Sequence, residues 1–305
     1  MEKAGAPGAR FGDCDLSSES VEQMKRMTRR IGALVERAAG PLEGRGLARP
    51  GGLTVIGYHR IDDTGGHLSV GVEHFKSHLD WIDESGFDVV DLTTAGLVQE
   101  GARPAVAITF DDGYLSVAES AWPELKARGW PAVLYVVPGY LDGDRAFPWD
   151  TSTRGSHAEL VDRSRVRELA RDGMTIGSHS LTHRYLPGLS TADARAEILD
   201  SRRALEDLLG QEVVTFSYPM GGWNASLRDL VAEAGYATAV TVTRGRNHPD
   251  GDPLALRRPV VESDPADFVR TMKGYYDWLR PFDRWRETRR QARSHEGLPA
   301  NHAGL

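Results

Sequence analysis

The chain has 305 residues, a formal net charge of −7 and 40% hydrophobic residues. That length and apolar content can bury a full core, as in an α/β barrel of about 250 residues, while the acidic balance argues against general nucleic-acid affinity, which needs a basic face. A single cysteine, Cys14, cannot close an intramolecular disulfide, which excludes a disulfide-stapled scaffold and leaves the compartment open; no run approaches the roughly 20 apolar residues of a membrane span and the N-terminus lacks the apolar stretch of a signal peptide, so a soluble, cytoplasmic protein is expected.

In chain order, residues 1–20 are rich in Gly, Ser and acids and read as a disordered tail. Val21, Met24, Met27, Ile31, Leu34 and Val35 then recur at helical spacing, with Lys25, Arg26, Arg29 and Arg30 between them. Residues 21–52 are therefore read as a basic amphipathic helix and its Gly/Arg/Pro-rich linker. The helix is expected to dock on its own domain or contact a partner, ahead of a peripheral membrane contact. From Leu53 onward short β-type runs alternate with helical patterns. The runs are Leu53–Tyr58, Phe87–Val90, Ala105–Phe110, Ala132–Val136, Met174–Gly177, Val213–Ser217 and Ala237–Val240. Between them lie amphipathic stretches at Val72–Glu84, Ser116–Arg128, Arg165–Asp172, Thr191–Leu209 and Ser226–Ala234. This repetition implies parallel strands with helical crossovers, in a closed or partly open barrel spanning 53–270. Residues 271–305 mix aromatics and arginines, as in Tyr275–Arg290, and read as a C-terminal helical extension and tail, packed on the barrel with a basic face to solvent.

Two local patterns carry chemistry. The apolar run from Ala105 stops at Asp111 and Asp112, two adjacent carboxylates that would repel and raise one pKa unless a cation or hydrogen bonds held both. His179 and His183, four apart, would project from one face of a helical turn. One carboxylate with two imidazoles is a common catalytic set for zinc or a similar divalent ion. Alone, an Asp-Asp pair is more often a solvated turn, and His-x-x-x-His is a surface pair as often as a ligand pair. Here Asp111, Asp112, His179 and Tyr218-Pro219 all follow predicted strands, at the carboxyl rim where barrel enzymes place catalytic groups. His59 also ends a strand.

Thr109-Phe-Asp-Asp-Gly113, His179-Ser-Leu-Thr-His183 and Phe216-Ser-Tyr-Pro-Met-Gly221 together resemble the polysaccharide deacetylase superfamily, the carbohydrate esterases of NodB homology, over roughly residues 53–270. The resemblance implies an α/β fold, a distorted (β/α) barrel of about seven parallel strands. It implies Asp112, His179 and His183 as ligands of a divalent metal, Zn2+ foremost, with Co2+, Ni2+ or Fe2+ as alternatives. Asp111 would be the general base, and the backbone N–H of Met220, after Tyr218 and Pro219, an oxyanion donor. The usual order places a general-acid histidine late, yet only His248, His295 and His302 follow His183, none in the expected setting. Circularly permuted members, which deacetylate poly-β-1,6-N-acetylglucosamine, use a Tyr-His near the domain start instead, which assigns the acid to His59, with His248 second.

Ser217 stands where many peptidoglycan deacetylases carry an arginine that braces the catalytic aspartate. Arg258 is the expected substitute, with Arg257 second, against the plain alternative of a surface salt bridge. Tyr114, Tyr140, Trp149 and Trp223 could stack on sugar rings, against the plainer reading of core or rim packing, and Asp150 could bond a sugar hydroxyl or cap the following segment. The expected activity is metal-dependent removal of N-acetyl groups from an N-acetylhexosamine glycan or its glycoside precursor. A metal-dependent amidase on a small or cyclic amide and a non-catalytic glycan-binding or assembly protein are the alternatives.

Overall fold

The computed structural model describes residues 52–66, 68–93, 103–141, 146–151, 158–261 and 264–274. The expected N-terminal helix and both tails lie outside these residues, as does the C-terminal extension beyond Gly274.

Nine strands are present among the described residues: β1 (Leu53–Tyr58), β2 (Arg60–Ile61), β3 (Ser69–Val70), β4 (Asp88–Val89), β5 (Ala105–Phe110), β6 (Ala132–Val136), β7 (Thr175–Ser178), β8 (Thr215–Ser217) and β9 (Thr238–Val240). Seven form one parallel sheet in the order β1-β5-β6-β7-β8-β9, with β4 beside the start of β5. These are the seven runs read from the sequence. The segment after β9 spans the gap between the sheet edges by isolated parallel bridges, Val240 to Leu256 and Gly57 to Val260, so the sheet curls into a distorted barrel.

The α-helices among the described residues are α1 (Val72–Glu84), α2 (Trp122–Ala127), α3 (Pro148–Thr151), α4 (Arg163–Arg171), α5 (Thr191–Leu209), α6 (Ala225–Glu233) and α7 (Pro265–Met272), with short π and 3-10 turns between them. In α1 the buried residues Phe75, His78, Leu79 and Ile82 fall at i, i+3, i+4 and i+7, one face of a helix. Side-chain caps start four helices: Asp162, Ser190, Asn224 and Asp264 each accept a backbone N–H from the first turn. The stretch read as one helix over Ser116–Arg128 is instead a π-turn, Val117–Ala121, leading into α2. Pro123 lacks an N–H and its ring crowds the carbonyl four residues back, which widens the ladder just before it. No helix among the described residues is long and apolar enough to cross a membrane.

Strand alternation sorts the core into two parts. Even positions such as Ile56, Tyr58, Val106, Ile108, Phe110, Leu134 and Val136 join the larger cluster, which includes the helix faces. Odd positions such as Leu53, Val55, Ala105, Ala107, Val133 and Tyr135 form a smaller cluster with Leu256, inside the barrel. That interior also holds a guanidinium. A Cβ at Gly57 would lie 3.0 Å from Arg258 Nη1, so the absence of a side chain on β1 makes room for it.

Candidate metal centre and active site

Alternation also sets the rim. β1 and β5 pair with Tyr58 opposite Phe110, and Asp111 N–H donates to the Tyr58 carbonyl at 2.9 Å, so the next residues of the two strands, His59 and Asp111, stand level at the carboxyl end. Both continue the odd, interior parity. Asp112 would point to the opposite face if the strand ran on. Its φ of 71° turns it back instead, so two consecutive carboxylates serve one cleft. His183, at φ 59°, is likewise left-handed. Such non-glycine conformations cost about 1–3 kcal/mol each and persist only where surrounding contacts fix them.

The histidine pair is held differently from the sequence expectation. Residues 179–183 are not helical; they form an irregular turn after β7, with Ser180 at φ 60° and His183 at φ 59°. His179 N–H donates to the Val136 carbonyl, which continues the β6–β7 ladder, and this anchor stops the turn from coiling into a helix. The two imidazoles still meet, with ring centroids 4.7 Å apart. Asp112 Oδ1 lies 3.5 Å from His179 Nε2 and 3.3 Å from His183 Nε2, and one ligand atom from each residue falls within 4.8 Å of the others.

The donor set fits a divalent metal. Tetrahedral ligands about 2.1 Å from an ion stand roughly 3.4 Å apart, close to both carboxylate–imidazole separations. Asp112 Oδ1 is buried and has no hydrogen-bond partner among the described residues. His179 Nδ1 contacts the Ser217 carbonyl at 2.8 Å; a carbonyl only accepts, so Nδ1 carries the proton and the Nε2 lone pair faces Asp112. Burial pushes the His179 pKa down to about 4 against the opposing pull of Asp111, which keeps the ring neutral and able to coordinate.

Asp111 is occupied otherwise. Arg258, fully buried, donates from Nη1 to Oδ1 at 2.8 Å and from Nη2 to Oδ2 at 2.6 Å, a bidentate fork. The same guanidinium reaches Thr109 Oγ1, Ser217 Oγ and the Thr241 carbonyl. Burial alone would raise the Asp111 pKa, but the charge of Arg258, then that of His179, holds it well below the usual carboxylate range. Arg257 instead donates to the Arg244 carbonyl, away from Asp111. Replacing Arg258 by Met should destabilise the fold by roughly 3–5 kcal/mol, because it strands a buried carboxylate. Urea denaturation checks this; an unchanged midpoint would mean that the charge is balanced by other groups.

The remaining candidates separate. The Tyr218 side chain is fully buried and its hydroxyl donates to the Leu254 carbonyl, so only its backbone belongs to the rim. Pro219–Gly221 forms a 3-10 turn in which Met220 is left-handed at φ 55°. Tyr114 is buried and donates to Asp150 Oδ2 at 3.0 Å, while Trp149 Nε1 donates to the Tyr114 hydroxyl at 3.1 Å. Trp149, partly exposed, stacks on Phe147 and lies 4.9 Å from the His183 ring. Tyr140 also stacks on Phe147, and Trp223 packs near Tyr218, 6.3 Å between centroids. His248 belongs to the opposite rim: its neighbour Asn247 bonds Leu53 at the start of β1, roughly 20 Å of strand away from His59. Two buried residues that the sequence reading passed over complete the surroundings. Arg60 pairs with Asp62 at 2.8 Å and packs over the Tyr114 ring, and Glu197 bonds the histidine turn. Glu197 has no local sequence signal, since its partner Thr182 lies 15 residues away in another element, whereas Arg60 could have been noticed from Asp62 two residues on.

A parallel barrel with a carboxylate and two imidazoles at its carboxyl rim, beside a second, arginine-held carboxylate, defines the class as a barrel protein with a candidate metal centre. The family model "Polysaccharide deacetylase" matches residues 99–239, a little under half of this chain. It is 27% identical over 214 residues to the Bacillus subtilis protein YxkH, covering 69% of this chain and 71% of that one. It is 30% identical over 148 residues to the poly-β-1,6-N-acetyl-D-glucosamine N-deacetylase of Escherichia coli K12, covering 44% of this chain but only 21% of that enzyme. The solved structure of IcaB from Ammonifex degensii shares the fold, with a TM-score of 0.64 at 22% identity over 74% of this chain and 98% of that one.

Proposed function

We propose that this chain is a metal-dependent N-deacetylase that releases acetate from N-acetylhexosamine units of a glycan or a glycoside precursor. The observation that carries the reading is the division between neighbouring carboxylates: Asp112 faces two imidazoles with an unbonded oxygen, while Asp111 is gripped by Arg258. The name of the Escherichia coli relative supports an N-acetylglucosamine polymer as the substrate class.

Asp112, His179 and His183 would hold the ion. When bound, a divalent ion supplies Lewis acidity toward the acyl oxygen and makes water acidic enough to act near neutral pH. Arg258 keeps Asp111 ionised, so its carboxylate is available to take the proton of the attacking water. The same fork lowers its basicity, a deficit that the acidifying effect of a bound ion on water would offset. The Met220 N–H is the candidate donor to the developing oxyanion. His59, level with Asp111 on the adjoining strand, gives a proton to the departing amine, which is too poor a leaving group to depart as an anion. Trp149, half-buried beside the His183 ring, is the candidate platform for a sugar ring, with Phe147 stacked on it and its Nε1 held by the Tyr114 hydroxyl.

The test is an acetate-release screen over chitooligosaccharides, poly-N-acetylglucosamine fragments and nucleotide- or lipid-linked amino sugars, with and without chelator. Acetate release is expected from at least one N-acetylated sugar and should vanish on chelation. Turnover that persists after complete chelation would sink the metal mechanism.

A further inference from the structure

We propose that Glu197 is a positioning residue for the two imidazoles, acting through Thr182; this rests on the reading of Asp112, His179 and His183 as a metal site. The turn 179–183 contains two left-handed non-glycine residues, Ser180 and His183, so its shape has to be imposed by contacts. Its first half is tied to the barrel: His179 bonds Val136 through its N–H and Ser217 through its ring. Its second half is tied to α5. The Leu181 N–H donates to the Glu197 carbonyl at 3.1 Å, the Thr182 N–H to Glu197 Oε2 at 2.8 Å and the Thr182 hydroxyl to Glu197 Oε1 at 2.5 Å. The Leu181 carbonyl accepts from Gly139 N–H at 2.9 Å, where a Cβ on Gly139 would stand 2.6 Å from that oxygen.

Glu197 is only 6% exposed, on a helix face whose other buried members include Ala194, Ile198 and Leu205. Packing alone would favour an apolar residue there, because a buried carboxylate is costly unless its oxygens are satisfied. Both oxygens are used on Thr182, the residue before His183. One side chain thus fixes the backbone that aims the second imidazole, while the Ser180 hydroxyl accepting from His183 N–H is a bond internal to the turn.

The experiment measures Zn2+ affinity of the full chain against a chromophoric chelator, with the visible spectrum of the Co2+-loaded protein as a geometric readout. Glu197→Ala is expected to weaken Zn2+ binding about 10–100-fold and to change the Co2+ spectrum, the usual range for losing an outer-shell partner. Glu197→Gln should stay within about threefold, since an amide can accept from the Thr182 N–H while the hydroxyl accepts in return. Thr182→Val, which keeps the amide bond and loses the hydroxyl, should fall between. Glu197→Ala with wild-type affinity and spectrum would overturn the proposal, as would a Gln variant as weak as the Ala variant, because charge would then be the cause. If Glu197→Ala does not fold, a wild-type affinity in Thr182→Val overturns it. Failure of the metal reading looks different: the wild-type chain would bind Zn2+ no better than His179→Ala.

Discussion

Asp111→Asn is expected to lower turnover by about 10²–10⁴-fold while Zn2+ affinity stays near that of the unaltered chain. The variant keeps the shape of the side chain but cannot accept the proton, and Asp111 is not among the three residues whose ligand atoms converge. Asp112→Asn should behave in the reverse order. It removes the anionic oxygen that faces both imidazoles, so metal affinity should fall before any effect on the chemical step is visible. The two substitutions sit at neighbouring positions and differ by the same atoms, which makes the pair a clean separation of base from ligand. Acetate release and chelator competition on the same preparations decide it. Circular dichroism checks that Asp111→Asn, in which the buried Arg258 has lost its counter-charge, is folded. Near-normal turnover in Asp111→Asn would remove Asp111 as the base.

His59→Ala should also cost about 10²–10⁴-fold, but only where the leaving group needs a proton. An N-acetylated sugar releases an amine, which must be protonated as it departs. A nitrophenyl acetate releases a phenolate that is stable unaided. His59→Ala is therefore expected to lose amide hydrolysis, to retain most ester hydrolysis and to bind Zn2+ normally, whereas Asp111→Asn should lose both activities. Equal losses on amide and ester would remove His59 from the acid role. His248→Ala is expected to be silent, because His248 lies beside the start of β1 and not at the rim that His59 shares with Asp111.

Several elements were legible because local physics repeats along the chain. Leu53–Tyr58, Ala105–Phe110 and Ala132–Val136 are buried on both faces, so they stand out as continuous apolar runs with the boundaries expected. The 19 residues of α5 carry a Ser cap at one end and left-handed Gly210 at the other, both readable signals. The histidine spacing misled because i, i+4 is a statement about helices, and the turn is shaped by bonds to Val136, Gly139 and Glu197, none of which is a near neighbour. Tyr114, read as core or rim packing ahead of a sugar platform, is buried with its hydroxyl committed to Asp150.

The amino-acid sequence by itself determined the βα alternation, the rim on which chemistry would stand and the pool of residues from which metal ligands could come, because strand ends, apolar runs and coordinating side chains are local properties; the choice of Asp112 over Asp111 as ligand came from the family resemblance. Only the tertiary structure decided how those groups are arranged. Arg258 lies 147 residues from the carboxylate it grips, and it reaches Asp111 because the segment after β9 closes the barrel against β1. The left-handed turn at Asp112 cancels strand alternation and sends two successive carboxylates into one cleft. Long-range pairing and a single unusual dihedral, neither encoded by periodicity, set the geometry of the site.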